Sequence, residues 1–178
     1  MKKLLRITIF VLLILVGGCI SQSPEATTQP TIQSHTPEPV ISDSHGAIVF
    51  VSNRDGNNEI YVMNTDGSNQ QRLTYNNDED WTPAWSPDST HIAFTSNRNG
   101  QTYDICVMNA DGSNQQQLTA NSANNYVPSW SPDGSQLIFS SDRDGDDEIY
   151  VMNADGTNQQ QLTDNDSDDL LPVWGWQP

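Results

Sequence analysis

Ile48-Val49-Phe50-Val51-Ser52-Asn53-Arg54 returns as Ile92-Ala93-Phe94-Thr95-Ser96-Asn97-Arg98, and again as Leu137-Ile138-Phe139-Ser140-Ser141-Asp142-Arg143. The three phenylalanines stand 44 and 45 residues apart, the extra residue falling in the loop before Asp104. Around each copy the chain parses into four short strands: one with a tryptophan (Thr82 to Trp85), one with the phenylalanine (Ile92 to Ser96), one over Asp104 to Met108 and one over Gln115 to Thr119. The turns between them agree. Ser131-Pro132-Asp133-Gly134 has a proline to fix φ, an aspartate to bond the local backbone and a glycine for positive φ, and Asn109-Ala110-Asp111-Gly112 is built alike. No helical periodicity follows residue 20, so the fold is all-β.

A period near 45 residues is that of propeller blades, each a sheet of four antiparallel strands. The expected architecture is a three-blade partial propeller over residues 46–178, with repeats at about 46–91, 92–136 and 137–178. Pro-x-Trp-Ser-Pro-Asp-Gly, an apolar strand with Phe and Ser-x-Arg-x-Gly, then Ile-Tyr-Val-Met-Asn-x-Asp-Gly and Gln-Leu-Thr follow one another in order, the first copy beginning at its Phe strand and having Arg72 for the Gln. That order resembles the TolB-type propeller repeat over about Ala47 to Trp174. Departures lie at Ser89, in place of the turn glycine, at Cys106, in place of tyrosine, and at Trp174-Gly175-Trp176-Gln177, where Trp-Ser-Pro-Asp would stand. The resemblance implies an envelope propeller that binds other proteins. Related blades also occur beside the catalytic domains of prolyl-oligopeptidase-like peptidases and in polysaccharide lyases, so it implies fold and binding more firmly than any reaction.

Outward from the repeats, residues 19–45 are rich in Ser, Thr, Gln and Pro and read as an extended tether. Before them, Lys2, Lys3 and Arg6, the apolar run Ile7 to Val16 and then Gly17-Gly18-Cys19 read as a secretory signal over residues 1–18. The apolar run is shorter than the roughly 20 residues of a membrane span. Val16-Gly17-Gly18-Cys19 resembles a lipobox, which implies lipidation at Cys19 and a body anchored to the cell membrane or outer membrane, facing periplasm or exterior. Cys106 then has no disulfide partner.

The net charge is −16, and without the signal segment four arginines and no lysine face 23 carboxylates. Such a surface excludes nucleic acid and anionic lipid as partners and favours a basic or cation-mediated protein partner. Nucleophilic catalysis is not indicated: there is no Gly-x-Ser-x-Gly, and the last histidine is His91. Trp85, Trp130 and Trp174, with Phe50, Phe94 and Phe139, recur once per repeat and read as packing between blades. Arg54, Arg98 and Arg143 read as structural, each beside carboxylates of its own loop.

The acidic residues choose one end of the blades, because the loop after the Phe strand and the loop between blades share it. That end carries 15 of the 23, among them Asp55, Glu59, Asp78, Glu79 and Asp80 in the first copy, and Asp147, Glu148 and Asp169 in the third. Asp142, Asp144 and Asp146, and Asp164, Asp166 and Asp168, alternate oxygen ligands as a Ca²⁺ loop does, without completing the EF-hand pattern. No cofactor is required, and Ca²⁺ is the one cofactor to consider. The leading reading is a non-catalytic, protein-binding envelope scaffold. A Ca²⁺-dependent or carbohydrate-contacting module and the truncated propeller of a larger hydrolase are the alternatives.

Three blades are fewer than the roughly four to eight that close a ring. The first copy has no Trp strand, and Leu171-Pro172-Val173-Trp174 is a spare one. Two chains exchanging that strand would make six blades, so a homodimer is expected, against an open arc or a piece of a longer protein.

Replacing Cys19 by Ser should release the protein from the membrane fraction into the soluble one. A variant that fractionates with membranes as firmly as the parent contradicts the anchor.

Overall fold

A computed structural model describes residues 46–175, so the signal segment, Cys19 and the tether lie outside the described residues. Eleven strands form three antiparallel sheets among them. Blade 1 holds β1 (Ala47–Ser52), β2 (Glu59–Asn64) and β3 (Gln71–Arg72); blade 2 holds β4 (Asp80–Trp85), β5 (His91–Ser96), β6 (Asp104–Asn109) and β7 (Gln116–Gln117); blade 3 holds β8 (Asn125–Trp130), β9 (Gln136–Ser141), β10 (Glu148–Asn153) and β11 (Gln160–Gln161). The chain is an all-β propeller arc. Its blades begin at the Trp strand, one strand earlier than the sequence repeats starting at Ile92 and Leu137, because Trp85 pairs with Ile92 and Trp130 with Leu137.

Each core lies between two sheets. Successive side chains of a strand point to opposite faces, so Ile92 and Phe94 of β5 meet Ile60, Val62 and Leu73 of blade 1, while Ala93 packs with Leu137, Phe139 and Met152 of blade 3. Phe94 and Phe139 are fully buried and Trp85 and Trp130 pack on these clusters, as expected of inter-blade residues. Among the described residues blades 1 and 3 share no strand contact: outside their own sheets, the strands of blade 1 and those of blade 3 each pack on blade 2.

Backbone joins the blades as well. The Trp130 indole donates to Ala84 O at 3.1 Å. Gln115 Nε2 donates to Leu73 O at 3.3 Å, and Gln159 Nε2 to Leu118 O at 3.4 Å. Gly112 lies so close to the preceding blade that a Cβ there would stand 2.8 Å from Leu73 O; at Gly156 it would stand 2.9 Å from Leu118 O.

The Trp strands are not plain ladders. Pairing slips between Trp81 and Ala84 and between Tyr126 and Ser129, where Pro83 and Pro128 offer no N–H. Thr82 (φ 48°) and Val127 (φ 56°) take up the bulge. Leu171 before Pro172 has the same turn of backbone (φ 58°), and Leu170 to Trp174 pairs with no strand among the described residues.

Ser89 occupies the turn position that Gly134 fills in blade 3 and has φ 59°. Left-handed backbone costs a residue with a Cβ about 1–2 kcal/mol, and glycine gives back part of that in chain entropy. Ser89→Gly should raise stability by about 0.5–1 kcal/mol in urea unfolding. A lower or unchanged midpoint contradicts the strain at this turn.

Candidate functional site

The turns after β1, β5 and β9 and the loops between blades meet at one end. Glu79 N donates to Asn97 Oδ1 at 2.7 Å, and Asn124 N to Asp142 Oδ1 at 2.7 Å, so each inter-blade loop is tied to the next blade's turn. This is the acidic end.

Its carboxylates divide into two sets. Glu59, Asp80 and Glu148, expected on the binding face, are buried (0, 0 and 1% exposed), as is Asp104. They are withdrawn because each satisfies donors of its own blade. Glu59 accepts from Asn76 N at 3.0 Å, Arg72 at 2.6 Å and the Thr74 hydroxyl. Asp104 accepts from Thr119 at 2.8 Å and Gln117 at 2.7 Å. Glu148 accepts from Asn165 N at 2.7 Å and the Thr163 hydroxyl. The acid at the head of the third strand therefore holds the Gln-Leu-Thr segment in place. Its recurrence before Ile60, Ile105 and Ile149, with a threonine at fixed spacing, was the signal that the sequence reading passed over. Burial pushes the Asp104 carboxyl above its ordinary range, outweighing the bonds from Thr119, Asn125 and Gln117.

Asp80 answers to Arg98, whose Nη2 lies 3.0 Å from it while the guanidinium covers the Phe94 ring at 5.1 Å. Arg143 repeats the arrangement over Phe139 but bonds the amide oxygen of Asn125 at 2.8 Å. Arg54 lies over Phe50 and bonds Ser52 Oγ and Gln70 Oε1. The arginines are structural, but only Arg98 pairs with a carboxylate of the inter-blade loops.

The second set stays in reach of solvent. In blade 1 it comprises Asp55, Asp78 and Glu79; in blade 3, Asp142, Asp144, Asp146, Asp147, Asp164, Asp166, Asp168 and Asp169. The two aspartate triads do not converge: both Asp142 oxygens accept from Asn124 at 2.7 Å, Asp144 accepts from Gln161, and Asp164 and Asp166 are exposed. Among the described residues no three His, Cys, Asp or Glu side chains group as metal ligands would. Partial burial and then the charge of Glu148 raise the Asp146 carboxyl, so this loop carries mutual repulsion that a cation would relieve. Tyr61 and Tyr126 donate to Asp55 and Asp147 and hold those carboxylates at the rim.

The opposite end has a cleft of ≈ 880 Å³ between blades 2 and 3, bordered by Asp88, His91, Trp130 and Asp133. Both carboxylates are occupied as turn caps, Asp88 by Ser86 and Thr90 and Asp133 by Ser131 and Ser135, which lower each to about 2. His91 is exposed and bonds the Thr90 hydroxyl. Burial pushes the Cys106 thiol up to about 12, which removes it as a nucleophile.

The family model described as the TolB beta propeller domain matches residues 25–104 and 82–177. The Protein TolB homolog of Chlorobaculum tepidum is 50% identical over 54 residues, 30% of this chain and 12% of that one. The Tol-Pal system protein TolB of Desulfosudis oleivorans is 47% identical over 53 residues, with the same shares. The solved structure of putative TolB from Agrobacterium tumefaciens superposes with TM-score 0.61 at 29% identity, over 66% of this chain and 45% of that one. The chain thus matches under half the length of each of these proteins.

Proposed function

The chain belongs to the TolB beta propeller domain family, and from that premise we propose that it is a non-catalytic envelope lipoprotein whose acidic end binds a protein partner. In this reading Cys19 carries the lipid, residues 19–45 hold the blades off the membrane, and the working form is a pair of chains. The observation that carries it is the exposed carboxylate set of the blade ends, above all Asp144, Asp164, Asp166 and Asp168, facing arginines already engaged within their own blades. A surface of one sign, with little to neutralise it, steers and selects a partner segment of the other sign. The Desulfosudis relative is named as a protein of the Tol-Pal system, which supports a protein ligand over a small one.

A cation-bridged variant of this reading rests on the raised Asp146 and its neighbours. One experiment addresses both. The full-length chain captures partners from detergent-solubilised envelope, in parallel with Asp144→Asn, Asp164→Asn, Asp166→Asn, Asp168→Asn combined, with calcium or chelator and at rising salt. Basic proteins captured by the parent should fall by about tenfold with the fourfold variant and with high salt. A dependence on calcium, lost in the variant, favours the bridge. Capture indifferent to the carboxylates and to salt contradicts the acidic end as the binding surface.

A further inference from the structure

The contacts that join blade 1 to blade 2 recur between blades 2 and 3, and the two outer ends of the arc each hold one unused half of the same set. In blade 2 the Trp strand pairs Asp80 with Ser96, Trp81 with Thr95, Ala84 with Ala93 and Trp85 with Ile92. In blade 1 the corresponding edge, Ser52, Val51, Val49 and Ile48 of β1, has no partner among the described residues. At the other end Asp169 to Trp174 is that strand in shape without a mate. Asp169 N bonds Asp147 O, as Asp80 N bonds Asn58 O and Asn125 N bonds Tyr103 O, and Leu171 has the positive φ of Thr82 and Val127.

Three further features are halves of this kind. Arg54 has the ring stack and the Gln70 bond of its counterparts but lacks the Trp-strand partner that Asp80 gives Arg98; Asp169 is the residue in that place, its Oδ2 already held by Asn165 as Asp80 is by Asn76. Among the described residues the buried Trp85 Nε1 has no acceptor, whereas Trp130 uses Ala84 O, whose counterpart for Trp85 is the carbonyl of Val173. Gly67 has open space where Gly112 and Gly156 meet a leucine backbone, and Leu162, the matching leucine of blade 3, is 57% exposed against 4% for Leu73.

We propose that the open edge of blade 1 receives the Leu170–Trp174 strand of a second copy, and that two copies close a ring of six blades through two such seams. The register follows from blade 2: Asp169 opposite Ser52, Leu170 opposite Val51, Val173 opposite Val49, Trp174 opposite Ile48. The seam gives Arg54 a carboxylate, gives Trp85 an acceptor, covers Leu162 with the Gly67 turn and pairs the exposed sheet edge. The described residues supply three blades, fewer than a ring needs, and blades 1 and 3 share no strand contact, so both outer edges of the arc are open to a second copy. A head-to-tail contact whose rotation closes yields a ring rather than a filament, and two arcs of three blades fall within the closing range. This pairing does not depend on which protein the acidic end binds.

Cysteine cross-linking of the full-length chain in membranes tests it. Val49→Cys with Val173→Cys should form a covalent dimer under mild oxidation, because opposed cross-strand Cβ atoms lie about 4.5–5.5 Å apart; Val51→Cys with Leu170→Cys is the second pair. Adding Arg54→Asp should lower the dimer yield by about tenfold, and adding Asp169→Arg to that should restore it. Gly67→Asn, which tolerates positive φ and has free space in the single chain, should also lose the dimer while unfolding as cooperatively as the parent. Bridges within one chain, dimers from Val49→Cys alone, no bridge in either pair, or a yield indifferent to Arg54 and Gly67 would each overturn the proposal.

Discussion

A guanidinium laid across a phenylalanine ring is the constraint on which each blade depends. Arg98 covers Phe94, takes Ser96 Oγ with Nε, Gln115 Oε1 with Nη1 and Asp80 with Nη2, so one side chain reaches the first and second strands of its sheet and the residue that leads into the fourth. Gln115 in turn passes its amide to Leu73 O of the preceding blade. The Asp80 carboxylate is fully buried, and a buried charge stripped of its partner costs about 3–5 kcal/mol. Blade 3 meets the same need with the neutral Asn125, which avoids that exposure to loss. Blade 1 leaves it unmet, because the strand that would bear the acid is absent from its sheet.

From this follows the quasi-one-dimensional character of the arc. Each sheet buries one face against the next, the Asn-x-Asp-Gly turns of blades 2 and 3 abut the leucine backbone behind them, and no strand contact skips a blade. Stability is then a sum of blade and seam terms, and the terminal faces are where it is lowest. The unsatisfied Trp85 Nε1, the bare Leu162 and the lone Arg54 are the same deficit seen at three atoms.

The strand content, the turn chemistry and the inter-blade role of Phe94, Phe139, Trp85 and Trp130 were legible in the sequence, because period-2 alternation and a threefold copy leave little choice of face. Three things were not. Repetition fixes a period but not its phase, so repeat bounds at Ile92 and Leu137 cut between the Trp and Phe strands that the strand parse groups together and that pair in the sheet. A Pro in a strand signals a lost N–H, but the bulge at Thr82 and Val127 depends on cross-strand register. Carboxylate position along the chain gave the right end of the blade for Asp144 or Asp166, yet placed Glu59, Asp80 and Glu148 in solvent, since nothing local tells a surface acid from one whose donors lie some 15 residues on.

The unused halves at the two ends make the mass of the assembled protein the measurement that decides most. Light scattering of the full-length chain in mild detergent at micromolar concentration, corrected for bound detergent, should give twice the 19.7 kDa of one chain, or slightly less after loss of the leader. A mass of one chain, with a sharp unfolding transition showing that its blades are intact, would contradict the account.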